Sequence, residues 1–233
     1  GWGGSKESFA PLRAALHGQN ITILPPDLPG FGSEPEPKSP YTVDDYATWV
    51  EQWLSQQKIP TNTPLSILGH SHGGRIAIKL AVRGNLSITH LLLAAPAGLR
   101  YPWHIKRFIG GFASKIGKTL LKIPGISMFE PIAKKMLYTL LREHDYERAS
   151  PIMKETLVNV TRENLKPLLP KILVPTDLFW GEDDKQTPIR GASLMHELIK
   201  GSTLHTFPGV RHAVHKDRAQ ELAAVILQRL PRA

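Results

Sequence analysis

The sequence predicts an α/β fold, a mostly parallel sheet with helices on both faces. Two observations predict it. Short apolar runs bounded by Gly, Pro or Asn alternate with amphipathic segments of helical length. The runs are apolar at nearly every position, as expected of strands buried on both sheet faces. The predicted strands are Ile21–Pro26, Pro64–Gly69, Ile88–Ala95, Ile172–Gly181 and Ser202–Phe207, and the predicted helices are Thr42–Lys58, His72–Val82, Ile189–Lys200 and Val214–Leu230.

One long segment interrupts this alternation. From Leu99 to Leu168 the pattern is helical, with prolines at intervals and no strand candidate. Because predicted strands flank it, we expect a helical insertion. The predicted organisation is therefore a core of residues 1–98 and 169–233 and a helical unit of residues 99–168.

Composition narrows the class of protein. With 233 residues, 41% of them hydrophobic, the chain suits one globular domain, and the lack of cysteine excludes disulfides and thiolate sites. There is no apolar run of bilayer length and no visible signal peptide, so we expect a cytoplasmic protein. The net charge is +9, and the stretch Arg100–Lys171 has fourteen Lys and Arg against six Asp and Glu. We interpret this as a solvated basic face rather than a nucleic-acid site.

A serine between two glycines follows the second predicted strand. Gly69-His70-Ser71-His72-Gly73 matches G-x-S-x-G between the apolar run LSIL and the helical run GGRIAIKLAVR. This context raises a hydroxyl above the strand ends, and glycines there avoid collisions with neighbouring backbone. Two alternatives remain: the serine could cap the helix, or the two histidines could be a metal pair, although no further ligand motif accompanies them.

A serine nucleophile needs a base, and the base needs an orienting acid. Candidate acids lie in and after the fourth predicted strand: Asp177, Glu182, Asp183 and Asp184. Candidate bases follow the last predicted strand: His212 and His215. The order Ser, Asp, His, each on a loop after a strand, is that of a triad built at one edge of such a sheet.

Five stretches carry a family resemblance: GWGGS, PPDLPGFGSEP, LGHSHGGRIA, VPTDLFWGEDD and FPGVRHAVHKD. They resemble, in order, the end of the HG-x loop, the D-x-x-G-x-G-x-S loop, the nucleophile elbow, the acid turn and the histidine loop of the α/β-hydrolase superfamily. The resemblance covers nearly the whole chain. Because the family has strands before the HG-x loop, we expect strands, and the histidine of that loop, upstream of Gly1.

The resemblance implies catalytic roles. Ser71 would be the nucleophile and His212 the base. Asp184 would be the acid, because the family's acid usually lies three positions after the glycine that stands here at Gly181. His215, one helical turn further on, would face solvent or the family's cap, which corresponds to the helical insertion of residues 99–168.

Other residues receive supporting roles from the same resemblance. The backbone N–H groups of Trp2 and His72 would form an oxyanion hole, with the His72 ring on the pocket floor. We expect Asp27 and Gly32 to shape their turn, and Trp180 to belong to the core. Asp177 stands where the family usually has an apolar residue, and we expect at most a hydrogen bond at the strand end.

The helical insertion would be the family's cap. Its segment Trp103–Gly125 has apolar residues at helical spacing with lysines between them, a pattern also typical of helices on a membrane surface. We favour a cap helix whose apolar residues Phe108, Phe112 and Ile116 line the substrate pocket. Contact with a membrane surface is the alternative.

These features imply a serine hydrolase of carboxylic esters, acting on small to medium, mostly apolar substrates through an acyl-enzyme. We expect a small-molecule ester as partner, no nucleic acid, no cofactor and no metal. One alternative is C–C bond hydrolysis of ring-cleavage diketo acids, because LLLAAPAGL is similar to that group and the basic cap could hold an acidic substrate. The other is a ligand receptor on the same fold, although a complete triad argues against it.

Overall fold

Four parallel strands form the sheet within the part of the chain that the structure describes. The structure is a computed structural model and describes residues 1–99 and 149–229. The strands are β1 (Leu65–His70), β2 (Ile88–Ala94), β3 (Thr176–Gly181) and β4 (Thr203–Phe207), and they lie side by side in chain order. Because all three pairings are parallel, the four strands end at the same edge of the sheet. The predicted parallel α/β arrangement is confirmed.

The described helices follow the amphipathic segments. They are α1 (Ala10–Ala15), α2 (Val43–Gln56), α3 (His72–Arg83), α4 (Pro151–Arg162), α5 (Arg190–Leu198), α6 (Val214–Asp217) and α7 (Ala219–Arg229), with 3-10 turns at Lys6–Phe9 and Lys166–Lys171. A capping box begins α2, since Thr42 and Asp45 each accept a hydrogen bond from the other's backbone N–H. The single helix predicted over Val214–Leu230 is wrong: Arg218, with φ −128°, separates α6 from α7.

Side chains of the central strands alternate between two apolar clusters. Leu92 and Phe179 pack on one sheet face with residues of α1, α6 and α7. Leu91 and Leu178 pack on the other face with residues of α3 and α5. All four side chains are almost completely buried. This alternation has the period of two expected of a strand, and burial on both faces explains the uninterrupted apolar runs.

The first predicted strand is wrong. Ile21–Pro26 has no strand assignment, because a strand requires a hydrogen-bonded neighbour. Cavities of about 640 and 250 Å³ separate this segment from β1, and Leu24 and Leu65 line both of them. Within the described residues β1 pairs only with β2. The expectation of strands upstream of Gly1 stays a prediction.

Part of the predicted insertion is described. Helix α4 packs Met153 and Val160 into a cluster with α2 and α3, and Leu165 is buried against the sheet. The predicted boundary at residue 168 falls inside the turn Lys166–Lys171. The predicted pocket residues Phe108, Phe112 and Ile116 and the basic helix around them lie outside the described residues. The division into core and cap therefore stays a prediction.

Within residues 1–99 and 149–229, no helix is both long enough and apolar enough to cross a bilayer.

An ionic cluster around the buried Asp177 joins three strands and the last described helix. Asp177 of β3 is 1% exposed and accepts hydrogen bonds from His90 Nε2 of β2 at 2.6 Å and from His205 Nε2 of β4 at 2.7 Å. Arg229 of α7 donates to both oxygens of the same carboxylate, at 3.0 and 3.2 Å. Burial alone raises the pKa of Asp177, but the bonds from His90, Arg229 and His205 outweigh it and hold the pKa far below its usual range.

We expect Asp177→Asn to lower the free energy of unfolding at pH 7 by about 2 kcal/mol, because it leaves the buried His90 and the partly exposed His205 and Arg229 without their charged partner. The pKa of Asp177 is lower in the folded than in the unfolded chain, so its contribution is complete above the unfolded value of about 4. The contribution is lost as pH falls below that value. Urea unfolding at pH 7 and pH 3 measures both effects.

The matched control is Asp183→Asn, which removes an exposed carboxylate. It should change the unfolding free energy by less than about 0.5 kcal/mol. Equal stabilities of the two variants at pH 7 would contradict the structural role assigned to Asp177.

Candidate active site

Ser71 lies in the sharp turn between β1 and α3. Its φ of +51° and ψ of −111° fall in a region that residues other than glycine rarely adopt, and such strain costs about 1–3 kcal/mol. The side chain makes no capping hydrogen bond to α3, so the capping alternative is wrong. The backbone is fixed instead: Ser71 N–H donates to Ala94, and its carbonyl accepts from Gly74 and Ala97.

The glycines around Ser71 differ in how much space surrounds them. A Cβ on Gly69 would lie 2.5 Å from the Gly73 carbonyl oxygen, so only glycine fits. A Cβ on Gly73 would meet no described atom within 4 Å, so the expected collision at that position is wrong. The second crowded position is Gly74, where a Cβ would lie 2.6 Å from Cβ of Pro96.

Asp184 and His212 form a directly bonded pair. His212 Nδ1 donates to Asp184 Oδ2 at 2.7 Å, and the Asp184 side chain is fully buried. The second carboxylate oxygen accepts from the N–H groups of Gln186 and Thr187, and Thr187 Oγ1 donates to Oδ2 at 2.7 Å. Burial alone raises the pKa of Asp184, but the bonds from His212 and Thr187 outweigh it and lower the pKa.

The pair lies beside the serine turn. Ser71 follows β1, the acid follows β3 and His212 follows β4, so parallel strands bring all three to one edge of the sheet. His70, the residue before Ser71, donates from Nε2 to the His212 carbonyl oxygen at 3.0 Å. Within the described residues His212 bonds to Asp184, Thr187 and His70 and not to Ser71. In free enzymes such catalytic hydrogen bonds are often long and shorten only with substrate.

The two residues predicted to form an oxyanion hole also lie together. His72 begins α3, and its ring is 3% exposed, with ring centroids 5.4 Å from Trp2 and 4.9 Å from Tyr46. Burial lowers the pKa of His72 to about 3, so the ring is neutral. The oxyanion role of Trp2 and His72, and the place of this ring on the pocket floor, stay predictions.

The geometry of His70 and His72 does not support the alternative that the two form a metal pair. The His70 ring packs against His212 and His215, whereas the His72 ring lies among aromatic side chains, so the pair does not converge on one point. Across residues 1–99 and 149–229, no group of three or more His, Cys, Asp and Glu side chains has the geometry of a metal site.

Asp27 and Gly32 shape their turn, as predicted. Its carboxylate accepts from the N–H groups of Lys6 and Ser33 and from the Ser33 hydroxyl. Gly32 has φ +59°, and a Cβ there would lie 2.3 Å from Cγ of Asp27. The core position of Trp180 is also confirmed, since its side chain is fully buried.

Three residues were missed or misplaced from sequence. The hydroxyl of Thr187 donates a hydrogen bond to the Asp184 carboxylate. The sequence pattern that could have indicated this contact is a threonine three positions after an aspartate in a turn. For His70 the sequence suggests only the metal pair with His72 and gives no sign of its contact with His212. His215 was expected to face the cap or solvent, but it is 2% exposed and packs between Phe9 and His70 because the single turn of α6 directs it inward.

The chain belongs to the α/β-hydrolase family. A family model described as the alpha/beta hydrolase family matches residues 1–225. A pimeloyl-[acyl-carrier protein] methyl ester esterase of Neisseria meningitidis serogroup C is 28% identical over 237 residues, which cover 97% of this chain and 89% of the relative. Lipase 3 of Moraxella sp. is 24% identical over 235 residues, with coverages of 96% and 73%.

Solved structures agree at the level of fold. An esterase from Exiguobacterium antarcticum has a TM-score of 0.73 with this chain at 21% identity, and the match covers 98% of this chain and 88% of that one. At such low identity the likeness shows the α/β-hydrolase fold alone.

Proposed function

We propose that this α/β-hydrolase is a serine esterase that cleaves carboxylic esters of small to medium, mostly apolar substrates. Esterases and lipases among its relatives support an enzyme that hydrolyses ester bonds. The single observation that carries the proposal is the Asp184–His212 pair, bonded at 2.7 Å beside the strained turn of Ser71.

The pair has the electrostatics of an oriented base. The lowered pKa of Asp184 keeps this carboxylate ionised at neutral pH, so it accepts a hydrogen bond from His212 Nδ1–H and holds the ring in the tautomer that is protonated at Nδ1. That tautomer leaves Nε2 of the neutral imidazole free to accept a proton from the serine hydroxyl. The ionised acid then stabilises the imidazolium that forms.

The proposed reaction has two steps. Ser71 Oγ attacks the ester carbonyl while His212 Nε2 takes its proton, and the N–H groups of Trp2 and His72 stabilise the oxyanion. His212 returns the proton to the leaving alcohol, which yields the acyl-enzyme. Water activated by the same imidazole then releases the acid and restores Ser71. Neither step requires a metal or a cofactor.

A panel of p-nitrophenyl esters with graded acyl length tests this function. We expect turnover of the neutral esters, with a preference for short to medium acyl chains and an initial burst where deacylation is slow. A ring-cleavage diketo acid provides the comparison. Cleavage of the diketo acid with no ester turnover would favour the C–C hydrolase, and tight ligand binding without turnover of either would favour a receptor.

A further inference from the structure

One side chain joins the serine turn directly to the histidine loop. His70 is the last residue of β1 and precedes Ser71, and its Nε2 lies 3.0 Å from the His212 carbonyl oxygen. Because a carbonyl oxygen only accepts, the His70 Nε2 carries the proton and donates it. The two partners are 142 residues apart in sequence, so this bond fixes long-range geometry.

Proton transfer depends on the separation of Ser71 and His212, which belong to different loops. The bond to Asp184 orients the imidazole but joins it to the acid turn and not to the serine turn. The bond from the His70 side chain joins the histidine loop to the serine turn instead. Because its acceptor is the backbone carbonyl oxygen of His212, this bond fixes the main chain that carries the imidazole.

His70 is itself held by packing. Its ring centroid lies 3.9 Å from that of His215, at an interplanar angle of 32°, and 4.8 Å from that of His212. On the far side His215 packs against Phe9 at 5.0 Å. Neither ring nitrogen of His215 has a hydrogen-bond partner among the described residues, so this ring contributes packing rather than polar contacts.

Both supporting rings are neutral. Burial, and then the neighbouring His215, lower the pKa of His70 well below its usual value. Burial likewise lowers the pKa of His215 to about 3. Neutral rings stack without charge repulsion, and a neutral His70 still has one N–H to donate.

We propose that His70 is a positioning residue: its Nε2–H holds the His212 backbone at a fixed distance from Ser71, and His215 supports its ring from behind. This inference rests on the proposed esterase function. His70 transfers no proton in the reaction and acts only through His212.

The test compares His70→Met with His70→Gln, which have side chains of nearly equal size but differ in the N–H donor. We expect kcat of the Met variant to fall at least about 10-fold below that of the Gln variant, with KM unchanged, because a displaced base slows proton transfer without altering binding. His17→Met, at an exposed histidine, is the control and should match the wild type.

The outcomes separate this inference from the proposed function. Equal kcat values in the Met and Gln variants would overturn the positioning role even if wild-type esterase activity depends on Ser71. Absence of Ser71-dependent ester turnover in the wild type would instead overturn the proposed function. If the Met variant does not fold, His70→Phe keeps a buried ring without the donor, and wild-type kcat in that variant would also overturn the role.

Discussion

Replacing Ser71 with alanine should lower kcat/KM for a p-nitrophenyl ester by about 10⁵- to 10⁶-fold, the scale seen when a serine protease loses its nucleophile. In the proposed mechanism this hydroxyl is the group that bonds to the acyl carbon, and alanine has no hydroxyl to take its place. Alanine at φ +51° is as strained as serine, so the melting temperature should not change. Initial rates at low substrate concentration measure the effect.

Ser71→Gly is the matched control for this substitution. It should be equally inactive, but about 1 kcal/mol more stable than Ser71→Ala, because glycine adopts a positive φ without strain. Equal stabilities would contradict the strained turn. Activity above about one hundredth of wild type in a purified alanine variant would contradict the nucleophile, since water and the oxyanion site alone supply far less than that.

Asp184→Asn should lower kcat by about 10⁴-fold while the chain stays folded. The carboxylate accepts hydrogen bonds on both oxygens, from Gln186 and Thr187 and from His212. An amide presents one oxygen and one NH₂ group, so His212 Nδ1 has to accept and its proton moves to Nε2. That tautomer cannot take the serine proton.

The neighbouring Asp183→Asn is the control, because this carboxylate is exposed and only one position away. It should retain wild-type kcat. If Asp183→Asn were the inactive variant and Asp184→Asn the active one, the acid would be misassigned by one residue. Parallel steady-state kinetics on the two purified variants decide between them.

Much of the fold was predictable because burial leaves a pattern in the sequence. Strands β1 to β4 are short apolar runs, and their helices have apolar residues at helical spacing, so both could be identified from sequence. Ile21–Pro26 has the same apolar character, and Ile21 and Ile23 do pack against the core. A strand also needs a hydrogen-bonded partner, however, and pairing is a property of three-dimensional neighbours that composition does not reveal.

The acid and the base of the candidate site were predictable because the family's motifs occur in a fixed order along the chain. The family's loop pattern singles out Asp184 and His212, and in the structure Nδ1 of His212 lies 2.7 Å from Oδ2 of Asp184. The side chain of His70 was not predictable as a link to His212, because its partner is a backbone oxygen 142 residues away. Asp177 was unexplained from sequence for the same reason, since its three partners come from three other elements.

Covalent labelling by a fluorophosphonate tests most directly whether Ser71 is the activated nucleophile. The probe reacts with a serine whose hydroxyl is activated by an adjacent base. We expect one adduct per chain by intact mass, located on Ser71 by peptide mapping, and no adduct in Ser71→Ala. An adduct on another serine, or no adduct on a folded sample that hydrolyses esters, would contradict it.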